Sequence, residues 1–165
     1  MSKRSSTADK TVSFEILPEA GPWPREDALS AHAAKVCGAV ASLAAGSITF
    51  VFTDDAHIQT LNREWREKDK PTNVLSFPDG DEGEGGVVHL GDVIVAHETL
   101  TREAEALGIS FDDHLTHLLL HGSLHLLGYD HIEDKDAEIM EDIEIKLLSA
   151  MGIKNPYQNG ELALD

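Results

Sequence analysis

A chain of 165 residues with 41% hydrophobic and 26% charged side chains has the size and balance of a single soluble domain spanning residues 1–165. Its formal charge of −17 excludes nucleic-acid binding through a broad basic surface, so an anionic substrate would have to sit in a local pocket. No apolar run reaches membrane-span length, the polar start Met1-Ser2-Lys3-Arg4 lacks the apolar stretch of a signal peptide, and the lone Cys37 rules out an internal disulfide. A cytoplasmic protein with no membrane partner is therefore expected.

Residues 1–9 are polar and predict a disordered tail. Residues 11–16 (TVSFEI) alternate weakly and predict a strand, ended by Pro18 and the Gly21-Pro22 turn. An Ala-rich amphipathic pattern over residues 24–44 predicts a helix that buries Leu29, Val36, Val40 and Leu43 and stops at Gly46. Residues 47–53 (SITFVFT) are rich in β-branched and aromatic side chains and predict a second strand. Asp54 then caps a helix with Ile58, Leu61 and Trp65 on one side, where Trp65 fits helix packing better than base stacking.

Residues 74–77 (VLSF) predict a short strand closed by Pro78, and residues 79–86 a flexible acidic loop that lacks the ligand register of a calcium loop. Residues 89–96 (HLGDVIVA) predict a strand antiparallel to the one before it. A short helix over 99–107 ends at Gly108, and Ser110 caps a long helix that carries the histidines. The last helix, 134–151, should turn Ile139, Ile143 and Leu147 inward, with residues 153–165 a loose tail. The order β-α-β-α-β-β-α-α-α implies an α+β fold: a small mixed four-stranded sheet with about five helices packed on it. The unit from residue 47 to residue 77 is expected to be a right-handed parallel crossover.

The densest chemistry lies in His121-Gly-Ser-Leu-His125-Leu-Leu-Gly-Tyr-Asp-His131. His121 and His125 are four apart and project from one helix face, so neutral imidazoles there can converge on one Zn²⁺. Gly128 can take the positive φ that ends a helix, which lets His131 swing back as a third ligand. Three nitrogens leave a fourth position open, as in catalytic zinc sites, although Ni²⁺, Co²⁺ or Cu²⁺ would also suit three imidazoles. His117 and His121 form a second i,i+4 pair that a helix-only site would use; His32, His57, His89 and His97 have no ligand spacing.

The pattern H-x3-H-x5-H matches the long zincin signature except that Gly122 replaces its glutamate. That glutamate is the general base of the metalloproteases, so its loss argues against peptide hydrolysis. Glycine inside a helix also costs roughly 1 kcal/mol against alanine, which suggests a close approach to the backbone at this point. Upstream, Arg63, Arg66, Lys68 and Lys70 are nearly balanced by Glu64, Glu67 and Asp69.

HGSLHLLGYDH (121–131) resembles the bacterial YbeY family of metal-dependent endoribonucleases, also described as rRNA maturation factors. REKDKPTNVLSFP (66–78) is similar to the family's R-x-K-D-x-P-T-[DN]-V-L-S-F-P, and LGDV (90–93) to its L-G-D-I. The likeness runs from about residue 55 to 150; Asn73 stands where many relatives carry Asp. The resemblance implies zinc ligands at His121, His125 and His131 and a role in activity for Arg66. It also implies single-strand RNA cleavage in 16S rRNA 3′-end maturation and ribosome quality control. Ribosomal small-subunit RNA and ribosomal proteins would then be the partners.

Joined to the spacing, this gives an expected mechanism in which zinc-activated water or hydroxide attacks the phosphodiester while the Arg66 fork holds the phosphate. Lys68 and Lys70 would steer the RNA backbone, Asp130 is a candidate acceptor for a ligand imidazole, and Thr72, Ser76 and Asp92 are candidate cleft residues. Two alternatives stay open: a metal hydrolase of another substrate, and a non-catalytic ribosome-assembly factor that retains a metal site.

Overall fold

The computed structural model describes residues 11–82, 86–158 and 164. The tail expected over 1–9 lies outside them, as do the tip of the acidic loop and most of the final residues. The elements run β1 (Val12–Pro18), α1 (Glu26–Val40), β2 (Gly46–Thr53), α2 (Asp55–Arg66), β3 (Val74–Glu82), β4 (Val88–Ala96), α3 (His97–Leu107), α4 (Phe111–Leu126) and α5 (Asp134–Ala150). The α+β class and the element order are those expected, with a four-stranded mixed sheet ordered β1-β2-β4-β3.

Composition explains the strand order. β2 and β4 carry the longest apolar, β-branched runs and take the two central places, where both faces are covered. β1 pairs with β2 and β2 with β4 in parallel, while β3 returns antiparallel to β4 through the acidic loop. The parallel crossover expected between residues 47 and 77 is therefore corrected: β3 neither neighbours β2 nor runs with it. Pro78 accounts for this, because a residue with no N–H belongs on an edge strand. There it does not close the strand, which continues to Glu82 with an irregularity after Pro78.

One sheet face carries the larger core, in which Ile48, Phe50, Phe52, Val74, Val93 and Val95 meet α1, α4 and α5. On the other face Ile58 of α2 packs with Val51, Leu75, Ile94 and Ala96. Cys37 is buried in the larger core, and burial pushes its thiol up to about 12. No described helix is long and apolar enough to cross a membrane.

Three packing expectations need correction. Leu43 lies beyond the end of α1 and is exposed. On α5 the buried stripe is Met140, Glu144 and Leu148, while Ile139 is 46% exposed. Trp65 is 69% exposed at the last turn of α2, where its ring meets Phe77 of edge strand β3 edge-on. Beyond α5, Ile153 packs against the core and the Tyr157 hydroxyl donates to Glu144.

Candidate metal centre

Helix α4 is buried on nearly every side, lying between the sheet, α1 and α5. Ser110 Oγ accepts from the Asp113 N–H at 3.0 Å, as the sequence predicts, and Asp112 and Asp113 complement the dipole of the first turn. Midway along, Gly122 faces the sheet. A Cβ there would meet Val93 Cγ1 at 2.6 Å and Val74 Cγ2 at 3.2 Å, so the close approach implied by this glycine is the helix lying down on β3 and β4. Ser76 Oγ donates to the Gly122 carbonyl at 2.9 Å and ties helix to strand. A zincin glutamate has no room at this position.

The end of α4 builds the turn that the third histidine needs. Gly128 adopts φ +102°, its N–H donates to the His125 carbonyl at 3.0 Å, and the Tyr129 N–H donates to the Leu124 carbonyl at 3.1 Å. This Schellman arrangement satisfies the last carbonyls and turns the chain back over the helix end. His131 is thereby brought beside the other two, with ring centroids 5.3 Å from His121 and 5.0 Å from His125. One ring nitrogen from each of His121, His125 and His131 lies within 4.8 Å of the others, a group that could hold a metal ion.

The hydrogen bonds around the rings fix which nitrogens face inward. His125 Nδ1 lies 2.9 Å from the Tyr129 carbonyl, which can only accept, so Nδ1 carries the proton. His121 Nδ1 lies 2.6 Å from Glu144 Oε2. Burial pushes the Glu144 carboxyl up, but the hydrogen bonds from His117 and His121 outweigh it and hold the group down at about 2. It is thus an ionised acceptor, and His121 Nδ1 also donates. Both Nε2 lone pairs then point at each other across 3.1 Å, an arrangement that a shared cation relieves. Tetrahedral zinc with N–Zn distances of about 2.0–2.1 Å sets adjacent nitrogens about 3.3 Å apart, so the donor set fits that metal.

Glu144 is the residue that sequence reasoning missed. It is fully buried on α5, accepts from His117 Nε2 at 2.9 Å through Oε1, and receives the Tyr157 hydroxyl as well. Asp130, the candidate acceptor, instead receives the Ile132 N–H at 3.3 Å in an Asx turn. His117 is a buried neighbour, not a member of the group. Burial lowers its pKa, and the Glu144 hydrogen bond pulls the other way.

His125 and His131 open onto a cleft of about 360 Å³, lined with them by Asp130 and Ile132 and by Ser76, Pro78 and Arg66, while His121 lies buried behind them. Arg66 reaches this place because a left-handed residue, Glu67, ends α2 immediately after it, and Asn62 Nδ2 pins the following loop through the Lys70 carbonyl at 2.9 Å. Of the described basic residues, Arg66 is the one that lines the cleft. Lys68 and Lys70 are exposed nearby, and Thr72 is buried. Asp92 stands beside His89, away from the cleft lining, and burial raises its carboxyl. The scattered histidines make local contacts: His32 to Thr116 and Asp112, His57 to Thr53 and Glu19, His89 to Asp79, while His97 meets Trp23 edge-to-face.

Residues 25–152 match the family described as endoribonuclease YbeY. The chain belongs to that family. It is 48% identical to the endoribonuclease YbeY of Sinorhizobium medicae (strain WSM419), over 88% of this chain and 95% of that relative. It is 44% identical to the endoribonuclease YbeY of Agrobacterium fabrum (strain C58), covering 91% of this chain and 97% of the other. The solution structure of TM1509 from Thermotoga maritima superposes with a TM-score of 0.57 at 26% identity, covering 82% of this chain and 87% of that one.

Proposed function

We propose that this chain is a zinc-dependent endoribonuclease specific for single strands, which acts in the cytoplasm on small-subunit ribosomal RNA, in 16S 3′-end maturation and ribosome quality control. The observation that carries the reading is one cleft that presents both the converging imidazoles and Arg66, in a chain of the YbeY family. His121, His125 and His131 are the proposed ligands of one zinc ion. Bound there, zinc supplies Lewis acidity toward a phosphoryl oxygen and lowers the pKa of water toward ~7.

The chain's own residues do the rest. Arg66 offers a planar fork that matches two phosphate oxygens and stabilises charge growing on them. Glu144 and the Tyr129 carbonyl hold the His121 and His125 rings with Nε2 turned inward. Ser76 lines the cleft, yet its hydroxyl proton is committed to the Gly122 carbonyl, so it serves as a strut and not as a nucleophile. With 30 acidic residues against 13 basic, the chain must hold RNA through this local arrangement. Small-subunit RNA in its ribosomal-protein setting is the proposed partner.

Cleavage of single-stranded RNA by purified wild type, His121→Ala and Arg66→Glu, with metal assayed in each, tests the reading. Wild type should carry about one zinc and cut, as a three-histidine open site requires. His121→Ala should lose both properties, and Arg66→Glu should keep the metal and lose cleavage. Wild type that holds metal and leaves RNA intact would overturn the assignment.

A further inference from the structure

We propose that the Trp65 indole is a stacking platform for one unpaired base of the RNA strand whose phosphate Arg66 holds; this rests on the endoribonuclease reading above. Trp65 is the most exposed aromatic among the large exposed hydrophobic residues described, at 69%, while Ile58 and Asn62 are the buried positions of its helix. The fold therefore leaves most of a large apolar ring in water. The ring is nonetheless set in place: it meets Phe77 edge-on, with centroids 6.1 Å apart and planes at 69°.

That contact places Trp65 at edge strand β3, on the sheet face away from the histidine helix. Phe77 packs into the small cluster beneath α2, and its chain neighbours Ser76 and Pro78 both line the cleft. Arg66, the residue after Trp65, lines it too. Arg66 therefore links the two places: it lines the cleft and directly follows Trp65 in the chain at the end of α2, beside edge strand β3. RNA is favoured as occupant over a protein because the ring adjoins a phosphate-shaped fork, with Lys68 and Lys70 following in the same loop of an otherwise acidic chain. Every base has a π-face, so a platform of this kind adds affinity without demanding a sequence.

The test compares steady-state cleavage of single-stranded oligoribonucleotides by wild type, Trp65→Ala, Trp65→Leu and Trp65→Phe, each checked for zinc content and thermal unfolding. Trp65→Ala should keep the metal and the melting transition while KM rises about 5- to 100-fold with kcat little changed. Trp65→Phe should recover part of that loss and Trp65→Leu should not, since leucine has bulk but no π-face. A series of substrates lacking one base at a time should contain one position whose loss raises the wild-type KM and leaves Trp65→Ala unaffected. RNA should also quench the emission of Trp65, with Trp23, whose Nε1 donates to the Thr53 carbonyl at 3.1 Å, as the internal reference. Equal KM for wild type and Trp65→Ala, or full activity in Trp65→Leu, overturns the platform alone. Unchanged RNA kinetics with loss of a protein partner assigns the ring to a protein surface and likewise overturns it. Wild type that neither binds nor cuts RNA removes the underlying function together with this subsite.

Discussion

Each half of α4 carries a pair of histidines, three apart upstream and four apart downstream, and the two pairs arrive at different chemistry. Upstream, His117 gives its Nε2 proton to Glu144 Oε1, and its Nδ1 is buried with no hydrogen-bond partner. His114 likewise bonds Glu103 through Nε2 at 2.8 Å. Downstream, His121 and His125 give away their Nδ1 protons, to Glu144 Oε2 and to the Tyr129 carbonyl, and their Nε2 atoms face each other. Either interval places two rings on one face, but the acceptors around them decide which nitrogen is left to meet a metal. The helix end completes the difference, because only the downstream pair lies next to the Gly128 turn that returns His131.

The sharpest way to break this comparison is to remove one histidine from each half. His121→Ala should abolish metal binding and cleavage together. His117→Ala should retain metal near the wild-type content while losing about 1–3 kcal/mol of stability, since Glu144 is left one donor short. Metal analysis of the purified proteins and thermal denaturation separate the two effects. Equal metal loss in both variants would move the site upstream.

How far the sequence could be read follows the same line. His121, His125, Gly128 and His131 were legible because a helix period, a stop signal and a return are all local features. So was the element order. Glu144 was not, because apolar periodicity is blind to a buried carboxylate: reading apolar residues alone selects Ile139, Ile143 and Leu147, of which Ile143 and Leu147 do pack against the core but flank the fully buried stripe Met140-Glu144-Leu148. A carboxylate sitting between Met140 and Leu148 at four-residue steps was the available signal. The crossover error has a different source. Strand pairing is a long-range choice, and β4 inserts between β2 and β3 although it comes after both in the chain. Trp65 misled because a tryptophan on a helix face is normally a core residue, and nothing local shows that the ring meets only the edge strand and stays mostly in water.

A finer break targets the shared carboxylate. Glu144→Gln keeps the shape but replaces one acceptor oxygen with a donor, so one of the histidine N–H groups faces another N–H. Zinc affinity, measured by competition with a chromophoric chelator, should fall about 10- to 100-fold, the usual consequence of losing the acceptor behind a ligand imidazole. An affinity within twofold of wild type would mean that the Tyr129 carbonyl and the helix alone orient the site. Gly122 lies between the two halves and probes the seat of the helix instead of its ligands. Gly122→Ala places a Cβ 2.6 Å from Val93 Cγ1. Overpacking of about 1–3 kcal/mol is partly offset by the roughly 1 kcal/mol helix preference of alanine, so the melting temperature should drop modestly. Cleavage should fall more than zinc affinity, because lifting α4 from β3 changes the span between the histidines and Arg66 while leaving the spacing along the helix intact.

The smallest effect belongs to Tyr157, whose hydroxyl meets the upstream oxygen of Glu144 and lies beside His117. Burial and then the adjacent Glu144 charge push its phenol upward, so it remains protonated and donates throughout the working pH range. Tyr157→Phe removes that donor and leaves His117 on Oε1 and His121 on Oε2. Stability should fall by about 1 kcal/mol, the net worth of one hydrogen bond, and the segment around residue 157 should become more sensitive to protease. Zinc affinity should move less than in Glu144→Gln, because the Oε2 bond that orients His121 is untouched. If instead Tyr157→Phe weakens zinc binding as much as Glu144→Gln does, the carboxylate works as one unit. The division of labour between its two oxygens would then be wrong, and with it the separation between the two halves of the helix.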